Sequence, residues 1–199
     1  MQRVLLARHG ETELSVEGLT NGDPSVRFGL TERGREEAQG LGEDLADTEL
    51  DLCVVSEFQR ARETAELALE GRDVPFLVLP GLNDIRFGAY EGKLLADYRA
   101  WARSHGPTEA PPGGGDSRAA TVGRYAEAFR TILARPERTI LVVAHSLPIR
   151  YVLDAAAGRT PGPAVEQIPY AEAFALKAAQ LTKAVELLES WAREPVWPT

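Results

Sequence analysis

Two of the three histidines in this chain occupy the same kind of sequence context. Residues 4–7 lead to His9 and residues 141–144 lead to His145, whereas His105 lies in a polar loop sequence and is assigned no role. Short apolar runs rich in β-branched residues predict strands that are buried on both faces of a parallel sheet. Ligands of open α/β sheets bind at the carboxyl ends of the strands, so we expect His9 and His145 to lie at one edge.

Two guanidinium groups and one carboxylate are predicted to reach the same edge. Arg8 directly precedes His9, Arg60 follows a second predicted strand, and Asp84 is the first carboxylate after a third. A helix that starts near Ser146 would add its positive N-terminal dipole. Arginine side chains and helix N-termini are suited to phosphate oxygens, so this edge is a candidate phosphate site.

These residue types support phosphoryl transfer through a phosphohistidine. A neutral imidazole is a nucleophile when its other ring nitrogen is fixed, and we expect His9 to be fixed by a backbone carbonyl near Gly10. His145, held protonated by the incoming phosphate, would stabilise the equatorial oxygens, and Asp84 would protonate the departing oxygen, a step worth ~10²–10⁴ in rate. Metal phosphatases use clustered carboxylates and histidines. The sequence shows no such cluster, so we expect no metal and no cofactor.

Each of these residues has a simpler explanation when it is considered alone. A single histidine at a strand end is more often a packing residue than a catalytic one. Arg8 and Arg60 could be solvated arginines, and Asp84 could form a turn after Asn83. Their predicted convergence at one edge is what favours a functional site.

Length, charge and cysteine content narrow the class of protein. The chain has 199 residues, enough for one sizeable domain, and its 22 basic and 30 acidic residues give a net charge of −8. An acidic chain is poorly suited to nucleic acid or to an anionic membrane, so an anionic substrate needs a local basic pocket. The single Cys53 excludes an internal disulfide, and neither a signal peptide nor a membrane span is evident. We therefore expect a cytoplasmic protein.

The alternation of segments predicts a three-layer α/β/α sandwich with a mostly parallel central sheet. Strands are predicted at residues 3–7, 50–55, 74–79, 139–144 and 173–177. Helices are predicted at residues 31–46, 57–70, 94–103, 117–133, 148–157 and 180–193. Residues 56–59 have the form of a capping box, and Pro148 is expected at the first position of its helix. We expect a single domain over residues 1–199, with an insertion at about 81–117 over the active site.

Four blocks of the chain resemble the signatures of the histidine phosphatase superfamily, also called the phosphoglycerate mutase-like family. The first, Leu-Ala-Arg-His-Gly-Glu-Thr, is highly specific, and the blocks occur in the family's order at residues 6–12, 56–65, 82–92 and 142–145. The resemblance implies the phosphoglycerate mutase-like fold. It also implies that His9 is the phosphorylated nucleophile, that Arg8, Arg60 and His145 bind the phosphate, and that Asp84 is the proton donor.

The sequence departs from the usual family pattern at four places in the expected site. Asp84 is one methylene shorter than the usual Glu, and Ser15 replaces a phosphate-contacting Asn. Asn21 replaces Gln, and Ser146-Leu147 replaces Gly-Gly. We expect Ser15, Asn21 and Ser146 to contact the substrate phosphate. Because these changes leave the two histidines and two arginines untouched, we expect the chemistry to be retained and the substrate preference to be altered.

Three functions are compatible with this sequence. The one that fits best is a phosphatase that hydrolyses a small phosphorylated metabolite through a phosphohistidine without a metal. A phosphoglycerate mutase must keep the phosphohistidine dry, and the compact insertion is more typical of the short phosphatases. The third possibility is a non-catalytic phosphate-binding protein. The sequence leaves the metabolite and the oligomeric state open, and also whether Arg86, Tyr90, Tyr98, Arg99 and Trp101 line the mouth of the site or pack beneath it.

Overall fold

A five-stranded sheet forms the centre of the protein. A computed structural model describes residues 1–198, and residue 199 of the predicted domain lies outside the described residues. The strands are β1 (Arg3–Arg8), β2 (Leu52–Val55), β3 (Phe76–Val78), β4 (Thr139–Ala144) and β5 (Ala173–Lys177), and their order in the sheet is β3-β2-β4-β1-β5. Strands β1 to β4 are parallel, and β5 pairs antiparallel with β1 at one edge. The predicted mostly parallel sheet is confirmed.

Within residues 1–198, seven α-helices connect and cover the strands. They are α1 (Glu13–Val16), α2 (Glu32–Asp44), α3 (Gln59–Ala68), α4 (Leu95–Arg103), α5 (Arg118–Leu133), α6 (Ser146–Ala156) and α7 (Ala178–Arg193). The side chain of Thr31 caps α2 and that of Ser117 caps α5, each by accepting a backbone N–H three residues later. Both helices therefore begin where the sequence predicted.

The sheet separates two apolar layers, because alternate residues of each strand point to opposite faces. Leu5 and Val143 face the layer of α2 and α3, whereas Leu6 and Val142 face the layer of α5, α6 and α7. All six residues of β4 are buried, as expected for a central parallel strand covered on both sides. The three-layer α/β/α architecture agrees with the sequence prediction. Within residues 1–198, no helix is long and apolar enough to cross a membrane.

Two predicted helix starts were wrong. The capping box at residues 56–59 does not form: α3 begins at Gln59 after Phe58, which makes no side-chain cap. The Ser56 hydroxyl instead contacts His145, so a tertiary contact replaces the local one. Pro148 is not the first residue of α6, because this helix already begins at Ser146. Pro148 is tolerated at the third position of α6 because N–H groups in the first turn of a helix have no intrahelical acceptor. The N–H that proline lacks would therefore make no helical hydrogen bond there.

Residues 81–117 form a mostly irregular segment beside the carboxyl ends of the strands. It contains α4, the 3₁₀ turn Gly88–Tyr90 and the end of the 3₁₀ turn Pro80–Leu82. Arg124 on α5 holds its first residues by donating to the carbonyl oxygens of Gly81, Asn83 and Asp84, at 3.1, 2.6 and 3.1 Å. The segment is therefore tied to the main domain just where Asp84 enters the site.

Candidate active site

The register of the sheet brings His9 and His145 together. Strands β1 and β4 are neighbours, and Arg8 pairs with Ala144, so the next residue on each strand lies at the same edge. The backbone N–H of His9 donates to the Ala144 carbonyl at 3.0 Å, which continues the ladder by one bond. The two ring centroids are 5.3 Å apart with the ring planes inclined by 64°. The predicted convergence of the two imidazoles is confirmed.

Hydrogen bonds define which nitrogen of His9 carries its proton. Nδ1 lies 2.8 Å from the carbonyl oxygen of Gly10, which can only accept, so Nδ1–H is the donor. Nε of Arg60 lies 3.1 Å from Nε2 of His9, and a guanidinium can only donate. Nε2 therefore carries the lone pair. This is the tautomer and the carbonyl partner that the sequence analysis expected for a nucleophile.

Arg60 also fixes the tautomer of His145. Its Nη2 lies 3.1 Å from Nδ1 of His145, so this nitrogen accepts and the proton resides on Nε2. Nε2–H then donates to the Ser56 hydroxyl at 2.9 Å. The same Nη2 donates to the carbonyl of Asn21 at 3.1 Å. One guanidinium thus lies between the two imidazoles and holds both in their neutral forms.

Burial and nearby cations keep both histidines uncharged. Burial lowers the pKa of His9 well below its ordinary 6.5, and the charges of Arg60 and Arg8 lower it further. Burial and Arg60 likewise place the pKa of His145 well below 6.5. Burial also lowers the pKa of Arg60, to about 10, which leaves that side chain charged at neutral pH. The site therefore combines neutral imidazoles with a fixed cation.

Asp84 lies beside this group with the properties of a proton donor. Its Oδ2 is 3.9 Å from Nη2 of Arg60 and 4.0 Å from Nδ1 of His145, and its Oδ1 accepts the backbone N–H of Ile85 at 2.9 Å. Burial raises the pKa of Asp84, and this outweighs the opposing effect of Arg60. A carboxyl group whose pKa is raised stays protonated to higher pH, which suits a general acid.

Arg8 is held on the other side of the site. Its Nη1 donates to the carbonyl of Ile168 at 2.8 Å, and its guanidinium carbon lies 3.9 Å from the centre of the Tyr170 ring. Its Nε is buried and has no hydrogen-bond partner among residues 1–198. The stacking on Tyr170 orients the guanidinium plane, and sequence reasoning did not identify this partner.

Thr64 connects the segment of Arg60 to that of His9 and was also missed by the sequence analysis. Its hydroxyl donates to the carbonyl of Arg60 at 2.7 Å and accepts the N–H of Gly10 at 2.9 Å. Gly10 in turn orients His9 through its carbonyl. A Cβ at Gly10 would lie 2.4 Å from the carbonyl oxygen of Gly34, so only glycine fits at this close approach. Thr64 lies in the second block that resembles the family signatures, and this position could have identified it as a candidate site residue.

The three further phosphate-contact candidates line the cavity but already have protein partners. The Ser15 hydroxyl donates to the Thr12 carbonyl at 2.7 Å and accepts the Thr12 N–H at 2.8 Å, forming the cap of α1. The Ser146 hydroxyl accepts the N–H of Ile168 at 2.9 Å. The Asn21 amide donates to Val26 at 3.3 Å, whereas its Oδ1 is buried without a partner among residues 1–198. Their contact with phosphate stays a prediction.

A cavity of about 360 Å³ opens at His9, whereas His145 is fully buried and does not line it. Its polar wall contains Arg8, His9, Ser15, Asn21, Arg60, Asp84, Ser146 and Gln167, and residues 81–117 contribute Phe87, Leu94, Leu95, Ala96 and Arg99. Of the aromatic residues considered for the mouth, Tyr98 is buried and Trp101 stacks on His105, at 4.5 Å between ring centroids. Among residues 1–198, no three His, Cys, Asp or Glu side chains are grouped so that they could hold a metal ion.

Sequence comparison identifies the family. The profile of the histidine phosphatase superfamily (branch 1) matches residues 4–189. The adenosylcobalamin/α-ribazole phosphatase of Salmonella typhimurium is 43% identical over 107 residues, which cover 50% of this chain and 52% of the relative. The chain thus spans about half the length of this curated relative. A 2,3-bisphosphoglycerate-dependent phosphoglycerate mutase of Methylobacterium is 34% identical over 216 aligned positions, which cover 95% of this chain and 99% of the mutase.

Structural comparison agrees with the sequence relationship. The crystal structure of the α-ribazole phosphatase from Shigella flexneri superposes with a TM-score of 0.73 at 31% sequence identity, covering 87% of this chain and 89% of that one. The profile match, the Methylobacterium mutase that aligns over nearly the whole chain and the fold shared with the Shigella structure all agree. This chain belongs to the histidine phosphatase superfamily, branch 1.

Proposed function

We propose that the protein is a phosphomonoesterase that hydrolyses a small phosphorylated metabolite through a phosphohistidine on His9. The observation that carries this proposal is the lone pair of His9 Nε2, which faces the Arg60 guanidinium in a cavity that also contains Arg8 and Asp84. His145 lies behind Arg60 with its Nδ1 toward Asp84. This set of groups supplies a nucleophile, cationic oxygen ligands and an acid.

In the first step, Nε2 of His9 attacks the phosphorus and the ester P–O bond breaks. Asp84 gives its proton to the departing oxygen, so the alcohol leaves neutral. Arg60 releases Nε2 of His9 and donates to the phosphoryl oxygens together with Arg8. His145 takes up a solvent proton on Nδ1 when the phosphate dianion arrives and releases it when inorganic phosphate leaves, and its Nε2–H keeps the bond to Ser56 throughout. The Gly10 carbonyl stabilises the positive charge that develops on the His9 ring.

In the second step, water attacks the phosphorus of the phosphohistidine. The Asp84 carboxylate accepts a proton from this water, the P–N bond breaks, and the neutral tautomer of His9 is restored. Asp84 ends the cycle protonated, ready for the next substrate. The cycle uses one carboxyl group first as acid and then as base, and it needs no group from outside the chain except substrate and water.

The size of the cavity and the named relatives support a small substrate. A volume of about 360 Å³ lies near the lower end of the range for small-molecule sites. The Salmonella and Shigella relatives are named for the hydrolysis of α-ribazole phosphate, a phosphomonoester. We propose a substrate of this general class, with no role for nucleic acid or membrane, and a cytoplasmic setting for the enzyme.

A phosphoglycerate mutase is the second candidate, because the Methylobacterium mutase aligns over 95% of this chain. The two activities differ in the fate of the phosphohistidine, which a mutase returns to the bound product. Incubation with 2,3-bisphosphoglycerate and 3-phosphoglycerate separates them. Formation of 2-phosphoglycerate faster than release of inorganic phosphate would favour the mutase, and the reverse order would favour the phosphatase.

The direct test follows the hydrolysis of p-nitrophenyl phosphate and the phosphorylation of His9. We expect turnover by the wild type, a loss of at least about a hundredfold in His9→Ala, and little change in His105→Ala, whose ring stacks on Trp101 away from the cavity. Rapid quenching under alkaline conditions followed by mass spectrometry should locate the phosphoryl group on His9. Equal turnover by wild type and His9→Ala would instead indicate a protein that binds phosphate without catalysis.

A further inference from the structure

A second buried arginine lies beside the candidate active site. Arg118 is the first residue of α5 and only 6% exposed. Its Nε donates to the Tyr98 hydroxyl at 3.1 Å, and its Nη1 donates to the Tyr151 hydroxyl at 2.6 Å. A guanidinium has five N–H donors. Within residues 1–198 these are its two hydrogen bonds, so three donors at the Nη1–Nη2 end have no protein acceptor.

The charge of Arg118 is not balanced by a carboxylate. Among residues 1–198, neither Arg118 nor the nearby Arg99 forms a salt bridge, although other arginines near the site, such as Arg124, do. Arg118 also lies at the positive end of α5, where a cation is unfavourable. A buried unpaired charge is costly unless an opposite charge meets it. The remaining free donors therefore suit an anion from outside the chain.

Arg118 lines a small cavity that adjoins the larger one at His9. The cavity has a volume of about 80 Å³ and is lined by Arg118, Arg99, Tyr98 and neighbouring residues. It shares six lining residues with the larger cavity: Asp84, Phe87, Leu95, Arg99, Ser146 and Gln167. The two cavities are therefore neighbours, and a substrate whose phosphate lies at His9 would reach the smaller one past these shared side chains.

We propose that Arg118, assisted by Arg99, binds a carboxylate group of the substrate. This inference rests on the proposed function and specifies its substrate class as a phosphate ester that carries a carboxylate. The planar Nη1–Nη2 end of a guanidinium matches the two oxygens of a carboxylate, and the small cavity accommodates such a group. The hydroxyls of Tyr98 and Tyr151 hold the Arg118 guanidinium in place before the substrate arrives. This reduces the conformational entropy that the side chain loses on binding.

The alternative is that Arg118 only ties α4 and α6 to α5 through the two tyrosines. Hydrogen bonds to Tyr98 and Tyr151 use two of its five donors, and a purely structural arginine would not discriminate between substrates. A comparison of matched ligands that differ only by the carboxylate therefore separates the two explanations.

The test measures inhibition constants against p-nitrophenyl phosphate hydrolysis for two matched pairs of ligands. The short pair is 3-phosphoglycerate and glycerol 3-phosphate, and the long pair is 6-phosphogluconate and sorbitol 6-phosphate; in each, a carboxylate replaces a hydroxymethyl group. For the wild type, we expect the carboxylate to bind about tenfold or more tightly in at least one pair, the usual value of a charge-assisted hydrogen bond. In Arg118→Met the ratio should fall to near one. Because each ratio is internal to one protein, a general loss of activity does not change it.

Arg103→Met is the matched control, since Arg103 is an exposed arginine in the last turn of α4. It should keep the wild-type ratio. A wild-type ratio near one in both pairs would overturn the inference without need of any variant, and so would a ratio that persists in Arg118→Met. If Arg118→Met does not fold, Arg118→Lys retains the charge without the fork and should lower the ratio. Absence of wild-type hydrolysis would refute the proposed function itself, a different outcome from hydrolysis without discrimination.

Discussion

Nε of Arg60 donates directly to Nε2 of His9 across 3.1 Å, so an arginine occupies the lone pair of the candidate nucleophile. The contact explains how His9 can be both buried and ready to react. A cation at this distance opposes protonation of the ring, and the donor holds the ring in the tautomer that attacks phosphorus. When a phosphate arrives, the same guanidinium can turn to the phosphoryl oxygens. In the proposed mechanism, Arg60 thus protects the nucleophile before substrate binds and stabilises charge during transfer.

Replacement of Arg60 should slow catalysis strongly. We expect Arg60→Ala to lose about 2–4 kcal/mol of transition-state stabilisation, because a charge-stabilising donor is removed from a buried site. The ratio kcat/KM for p-nitrophenyl phosphate measures this loss. Arg62→Ala is the control, because Arg62 lies two residues away, has a side chain that is 66% exposed, and within residues 1–198 forms a salt bridge only with Glu66. A loss of less than tenfold in Arg60→Ala would contradict the assigned position.

Removal of the acid should affect poor leaving groups most. Asp84→Asn cannot deliver a carboxylic proton, so we expect kcat/KM, which reports the first step alone, to fall by ~10²–10⁴ for alkyl phosphates and by much less for p-nitrophenyl phosphate. The raised pKa of Asp84 keeps the acid protonated to higher pH, and the rate with alkyl phosphates should fall as pH rises through that pKa. Asp97→Asn is the control, because Asp97 is an exposed carboxylate on α4 that does not line the cavity. An equal effect on all leaving groups would exclude Asp84 as the donor.

Thr64 is expected to position His9 without touching the substrate. Thr64→Val keeps the shape but leaves the Gly10 N–H without its acceptor, which should cost about 1–3 kcal/mol of unfolding free energy. The Gly10 carbonyl then holds the His9 ring less firmly, so kcat should fall while KM changes little. Thr121→Val is the matched control: Thr121 is equally buried, and its hydroxyl makes only the local bond to Ser117. Equal effects of the two substitutions on kcat would contradict this role.

Acid should destabilise the protein through its two buried histidines. The pKa of His9 and that of His145 are lowered in the folded state, so below the ordinary value of 6.5 the unfolded chain binds protons that the folded chain does not. The free energy of unfolding therefore decreases as the pH is lowered. The decrease from pH 7.5 to pH 5.5 is about 2–3 kcal/mol for the two groups together. The raised pKa of Asp84 acts in the opposite sense and offsets part of this loss.

Urea unfolding at several pH values measures this dependence. His9→Gln removes one of the two titrating groups, so its stability should fall by roughly half as much as that of the wild type over the same interval. The comparison uses the change with pH, so any constant effect of the substitution cancels. A pH dependence identical to that of the wild type would show that His9 titrates normally.

The meeting of His9 and His145 at one edge of the sheet was the easiest part of this protein to predict from the sequence. His9 and His145 each end an apolar run, and parallel strands place such residues at one edge whatever the details of packing. The alternation of strands and helices predicted the layers, because burial on both faces of a sheet leaves a recognisable apolar run. The family blocks then indicated the roles of Arg8 and Arg60.

The contacts among those residues depend on parts of the chain that are far apart in sequence. Ser56 fits a local capping box, yet its hydroxyl bonds to a histidine 89 residues away, because burying that imidazole requires a partner for its Nε2–H. In the sequence, Arg118 looks like an ordinary helical arginine. Only the packing of α4, α5 and α6 places it beside a cavity and leaves three of its N–H donors without an acceptor among residues 1–198. Residue types and strand periodicity are local properties, so they can be identified from the amino-acid sequence alone. Tautomers, shifted pKa values and unpaired donors arise from burial by distant segments, which the folded structure alone arranges.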